Sequence, residues 1–232
     1  MNRDELRTRK ESGLLHSTSI GDVRLFYPVD MLSGGSWFGV NNKGVTLALL
    51  NRYHAPETPR AISRGDIIPR ALEQGGFGAV KSWLNELPYS DYNPFDIFLV
   101  SKKQVVHFFW DGEEYSSEIL SFKHWYMFTS SAMVTEEVIA YRKNLFTAWA
   151  SEMGKKLIDA SEILRGYHLI QFEGLETHSV LMEREKSHTK SVAQVDIDGR
   201  NMTLHYIPDV LDKSLDAPLA DAQIEMIEIR KS

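Results

Sequence analysis

The chain has 232 residues, 43% of them apolar and 25% charged, with a formal net charge of −6 and no cysteine. That balance excludes wholesale disorder and suits one globular domain spanning residues 1–232. The absence of cysteine excludes disulfides, thiolate metal sites and a cysteine nucleophile, and a net negative field disfavours nucleic acid and anionic membrane surfaces as partners.

No apolar run reaches the roughly eighteen residues that a membrane span needs. Residues 1–10 are too polar for the core of a signal peptide, so the cytoplasm is the expected location. Along the chain, residues 36–40 and 45–51 read as strands joined by the polar turn Asn41-Asn42-Lys43-Gly44. Residues 67–74 read as a helix with Pro69 in its first turn, where the missing N–H does little harm. Residues 79–87 form a second short helix with Val80, Trp83, Leu84 and Leu87 on one face. Residues 87–94, with two prolines, and 173–176 are the candidate linkers.

A second hairpin is expected from residues 95–101 and 105–110, with Asp111-Gly112 turning the chain into a strand at 115–122 and a further strand at 124–129. The clearest helix runs over 136–153. Thr135 is its expected cap, Glu136 and Glu137 favour its positive end, and Val138, Tyr141, Leu145, Phe146 and Trp149 form its apolar stripe. Residues 155–165 read as another helix. Asp198-Gly199 between strands 192–197 and 202–207 is the strongest hairpin signal. Hairpins and helices come in blocks, not in single alternation, so the pattern predicts an α+β fold with antiparallel sheets and not a doubly wound parallel sheet.

The common site motifs fail. Gly75-Gly76-Phe77-Gly78 lacks the strand and spacing of a dinucleotide loop, and no His-Glu-x-x-His or Gly-x-Ser-x-Gly pattern occurs. No metal and no organic cofactor is expected. His107, inside an apolar strand, reads as a packed, hydrogen-bonded histidine. Arg3, Arg7, Arg9 and Lys10, interleaved with Asp4, Glu5 and Glu11, read as solvated surface. On the same plain terms Asn51 ends a strand, Arg142 takes the solvated side of its helix, and Arg3 with Asp4 is a surface ion pair.

Several blocks change that reading. Asn2-Arg3-Asp4-Glu5, then Gly34-Gly35-Ser36-Trp37-Phe38-Gly39-Val40-Asn41 with Gly44 and Leu50-Asn51, are followed by Ser63-Arg64-Gly65, Asn93-Pro94-Phe95 and Trp110-Asp111-Gly112. Thr129-Ser130-Ser131, Arg142 and residues 179–191 complete the series. In this order the blocks resemble the NRDE family, relatives of the transport and Golgi organisation proteins. That resemblance implies the fold of the N-terminal-nucleophile hydrolases, a four-layer αββα sandwich of two antiparallel sheets between helices. It implies hydrolysis of an amide bond in a small or peptide-like substrate, with the α-amine of the first residue as base.

Carried onto this chain, the resemblance makes Asp4 the carboxylate that orients the amine and Asn51 the donor to the oxyanion. Arg3 joins them in the catalytic group. Asn2, Trp37, Ser130 and Arg142 become substrate-binding, with Arg142 directed at a carboxylate or polar group. The family pattern places a cysteine and a strand of roughly five to eight residues before the Asn-Arg-Asp-Glu block, whereas here Met1 abuts Asn2. The chain as written is therefore expected to lack its nucleophile and the first strand of its sheet. The alternative implied by the same resemblance is a non-catalytic ligand-binding or haem-carrier protein.

Overall fold

The computed structural model describes residues 1–53, 62–153, 166–211 and 223–229. Among the described residues eleven strands form two antiparallel sheets. The larger is a seven-stranded meander of β2 (His16–Ile20), β3 (Val23–Tyr27), β4 (Phe38–Asn41), β5 (Val45–Asn51), β6 (Phe95–Val100), β7 (Val105–Trp110) and β8 (Tyr115–Leu120) in sequence order. The smaller sheet runs β1 (Asn2–Leu6), β9 (Ser187–Asp198), β10 (Asn201–Pro208) and β11 (Gln223–Glu228), which leaves β1 at one edge.

Alternation along these strands creates two apolar layers. One face of the large sheet, with Leu25, Leu47, Leu49, Phe95, Ile97, Val106 and Phe108, packs under α1 (Ile67–Leu72) and α2 (Phe77–Asn85). The other face brings Phe26, Phe38 and Val40 against Ala193, Met202, Leu204, Tyr206 and Ile227 of the small sheet. On the far side of the small sheet Leu169 and Leu181 pack on Val192 and Ile207. The fold is thus the expected α+β sandwich of antiparallel sheets. Among the described residues no helix is long and apolar enough to cross a membrane.

The hairpins predicted around Asn41–Gly44, residues 102–104 and Asp198-Gly199 all form. Asn41 shows why its turn closes where it does. Its side-chain oxygen accepts from the Lys43 and Val45 N–H groups, while its amide donates to the carbonyls of Leu72 and Gly75 at the end of α1. Gly44 takes φ +78°, a region costly for other residues.

Elsewhere the structure corrects the sequence reading. Residues 124–129 form no strand. The candidate linker 87–94 is core: Leu87, Tyr89 and Tyr92 are buried, and Trp110 Nε1 donates to Tyr92 O at 3.0 Å. Thr135 is the first residue of α3 (Thr135–Met153), and its hydroxyl donates back to Ser131 O. Residues 155–165 lie outside the described residues. Strands β1, β2, β3 and β11 were not foreseen. For β2 and β3 a signal existed, because Gly21-Asp22 is a two-residue turn with Gly21 at φ +59°, suited to the first central position of a type II′ hairpin.

Candidate functional site

Strand β1 shows how the Asn-Arg-Asp-Glu block works locally. Alternation sends Asn2 and Asp4 one way, and Arg3 and Glu5 the other. Asn2 donates to His168 O at 2.9 Å and Val180 O at 2.7 Å. Asp4 accepts from Thr189 Oγ1 at 2.6 Å and from an Arg142 Nη at 3.2 Å. A register shift between Arg3 and Asp4, where the ladder passes from Ser191 to Thr189, sets Asp4 over the Thr189 hydroxyl.

Arg3 faces inward and is 7% exposed, so the solvated-surface reading fails for it. Its guanidinium donates to Glu11 at 2.8 Å and to Asp30, and lies 4.0 Å from the centre of the Trp37 ring. Arg9 adds a second contact to Asp30 at 2.7 Å. Burial opposes ionisation of Asp30, yet the Ser33 and Leu32 N–H groups with Arg3 and Arg9 hold its carboxyl below the usual range. Burial pushes the Glu11 carboxyl up, against the pull of Arg3. Arg3 therefore pairs with Glu11 and Asp30, and its neighbour Asp4 pairs with Arg142.

Two other blocks meet behind Trp37. Ser36 N donates to Gly65 O at 2.9 Å, and a Cβ on Gly35 would stand 2.7 Å from Gly65 backbone. Only glycine permits that approach, and it seats the 3-10 turn Arg64–Asp66, capped by the Ser63 hydroxyl, beside the strand ends.

These segments enclose a cavity of about 670 Å³, a size typical of small-molecule sites. Asn2, Arg3, Asp4, Trp37, Asn51, Ser130 and Arg142 all line it. Asn51, at the end of β5, donates one amide hydrogen to Tyr53 Oη at 3.2 Å. Arg142 is 6% exposed, not on a solvated helix face. It donates to Asp4, to Thr129 Oγ1 at 3.0 Å, and to the His178 and Ser179 carbonyls at 3.2 and 2.9 Å. Its donors are thus committed to protein atoms, and it ties α3 to β1 and to the segment before β9.

Sequence reasoning missed His168 and Arg184, which line the same cavity. His168 lies outside the matching blocks, and Arg184 lies within residues 179–191 but was not singled out there; the fold brings both to the cavity. Burial holds the His168 imidazole well below its ordinary pKa, so it is neutral at pH 7. Its Nδ1 and the Asn2 Oδ1 are buried without a hydrogen-bond partner among the described residues.

A second cavity of about 830 Å³ adjoins the first, sharing Leu50, Met127, Phe128 and Thr129. Its ionisable groups largely satisfy one another. His107 bonds Asp96 at 2.7 Å and Glu118 at 3.1 Å and stacks on Phe98, while Arg52 Nη1 donates to both Asp96 oxygens. This is the packed, bonded histidine that the sequence suggested. Burial works against the imidazolium, but the hydrogen bonds to Asp96 and Glu118 outweigh it and raise the pKa.

A folded pKa above the unfolded one stabilises the fold fully below pH ~6.5 and loses that contribution as pH rises through the raised value. His107→Gln is therefore expected to destabilise the protein more at pH 6 than at pH 9 in urea titrations. Equal losses at both pH values would show that His107 acts by packing alone.

A family model described as Transport and Golgi organisation 2 matches residues 1–203, while no curated protein matches the chain. The match takes in β1, the whole seven-stranded sheet and every described residue that lines the cavity. The chain belongs to that family.

Proposed function

We propose, from this family membership and the cavity just described, that the protein binds a small amide-bearing or peptide-like molecule, and that the site serves amide hydrolysis of the N-terminal-nucleophile type, for which this sequence, opening Met1-Asn2, shows no attacking side chain at its first residue. One observation carries the reading: Asn2, Asp4, Asn51, Ser130 and Arg142, drawn from distant parts of the chain, border one ligand-sized space. In such a site the Asn51 amide, with a hydrogen beyond the one given to Tyr53, donates to a carbonyl oxygen as negative charge builds on it. Asp4, fixed by Thr189 and Arg142, provides a negative charge to hold an attacking or leaving amine.

A second reading, a carrier that holds its ligand uncut, has its own support. Among the described residues no serine or threonine hydroxyl that lines the cavity donates to a histidine or carboxylate; Ser131, for instance, donates to Met133 O. Such hydroxyls are not activated for attack. For a haem carrier, His168 is the one histidine among the described lining residues.

Protein purified from its native source and incubated with N-acyl amino acids and acyl anilides is expected to release free amine. Asn51→Ala should lower that rate by about 10²–10³, the usual effect of losing an oxyanion donor. Binding without release establishes the carrier, and a Soret shift on titration with haemin identifies haem as its cargo. Neither binding nor release across the panel, with no response to haemin, overturns the proposal.

A further inference from the structure

The cavity carries more positive charge than its ion pairs consume. Arg3 and Arg9 are committed to Glu11, Asp30 and Glu5, and Arg142 to Asp4. Arg184 and Lys186 also line the space, and neither has a carboxylate within ion-pair distance among the described residues. This excess stands out in a chain whose net charge is −6.

Arg184 is held in place by one edge of its guanidinium. Nε and Nη2 donate to Thr177 O at 3.1 and 3.0 Å, and Nη2 also donates to Ser131 Oγ at 3.0 Å. Nη1 has no hydrogen-bond partner among the described residues. Burial and the neighbouring Arg142 charge both disfavour its protonated form, and only Asp4 opposes them. An anion arriving there would relieve that repulsion and pair with a guanidinium already oriented by its other hydrogen bonds. The rest of the wall is different in kind: Trp37, Leu50, Phe98, Met127, Met133 and Met182 present apolar surface to the same space.

The geometry points to an amphipathic anion as the ligand, its carboxylate or phosphate held by Arg184 and Lys186, and its apolar body against the wall of Trp37, Phe98 and Met127. This inference rests on the reading of the cavity as a small-molecule site and narrows the class of molecule that enters it.

Isothermal titration of the purified protein with N-dodecanoylglycine, dodecyl phosphate and the neutral N-dodecanoylglycinamide tests it. The anions are expected to bind at least ~10-fold more tightly than the neutral amide, the gain of a charge-assisted hydrogen bond. Added salt should narrow that gap. The tighter of the two anions identifies the head group, and Arg184→Gln should bring anion and amide level. Because Arg184→Gln also breaks the bond to Thr177, Lys186→Gln, at an exposed position, serves as a second variant and should cost the anions part of their advantage. Equal binding of anions and amide by the wild-type protein overturns the inference and leaves the cavity reading standing. No binding of any of the three overturns both.

Discussion

Replacing Arg3 with alanine is expected to remove about 3–5 kcal/mol of folding stability, the usual cost of stripping one partner from a buried ion pair. Arg3, Glu11 and Asp30 are all nearly excluded from water, with side chains 7%, 2% and 5% exposed. Without the guanidinium, Glu11 keeps only the hydroxyls of Ser191 and Tyr206. Asp30 keeps Arg9 and two backbone N–H groups. Burial already raises the Glu11 carboxyl, so the variant should fold with Glu11 protonated and recover part of its stability in acid. Denaturant titration at neutral and acidic pH reads both effects. A loss below ~1 kcal/mol would mean that water reaches the pair and that the network is worth no more than a surface bridge.

Arg142→Ala should be comparably severe, at about 3 kcal/mol or more, for a different reason. Its guanidinium bonds Asp4, Thr129 and two carbonyls, so truncation orphans several acceptors at once. It also cuts the link that holds α3 against β1 and the segment before β9. Hydrogen exchange should therefore show α3 opening well below the global unfolding free energy, whereas the α1 and α2 layer keeps its protection. Arg142→Lys should recover only a minor part, because an ammonium cannot reproduce the planar fork that reaches an acceptor on each side. Wild-type stability and unchanged α3 exchange in Arg142→Ala would show that the helix is anchored by its apolar stripe alone.

Both predictions concern residues that the sequence reading expected to serve the site, and the structure shows them fully engaged with protein partners. Arg142 borders the cavity as a brace whose donors are occupied, and Arg3 as part of its floor. Asn51, with a single side-chain partner, and Arg184, with an uncommitted edge, are the groups best disposed toward a ligand.

Where strands are flanked by turn residues and carry their apolar residues in alternation, the sequence alone determined the result: β4–β5, β6–β7 and β9–β10 follow from local pattern, as do α1, α2 and α3. Turn chemistry and periodicity are short-range properties, and a reader of the chain has all of them in view. Strands β1, β2 and β11 were hidden because edge strands need not be apolar. Asn2–Leu6 and His16–Ile20 read as polar surface, and Gln223–Glu228 mixes exposed Ile224 and Met226 with buried Ile227.

The site divides along the same line. The blocks around Asn2–Glu5, Trp37, Asn51 and Arg142 were legible as a series, but not what each side chain touches. Tertiary structure alone decided that Arg3 is buried with Glu11 and Asp30, that Arg142 closes on Asp4, and that His168 and Arg184 reach the same cavity. A charge's partner is set by which distant strands and loops come to lie beside it, and burial determines whether that pairing is strong or negligible. Neither quantity is a property of neighbouring residues in the chain.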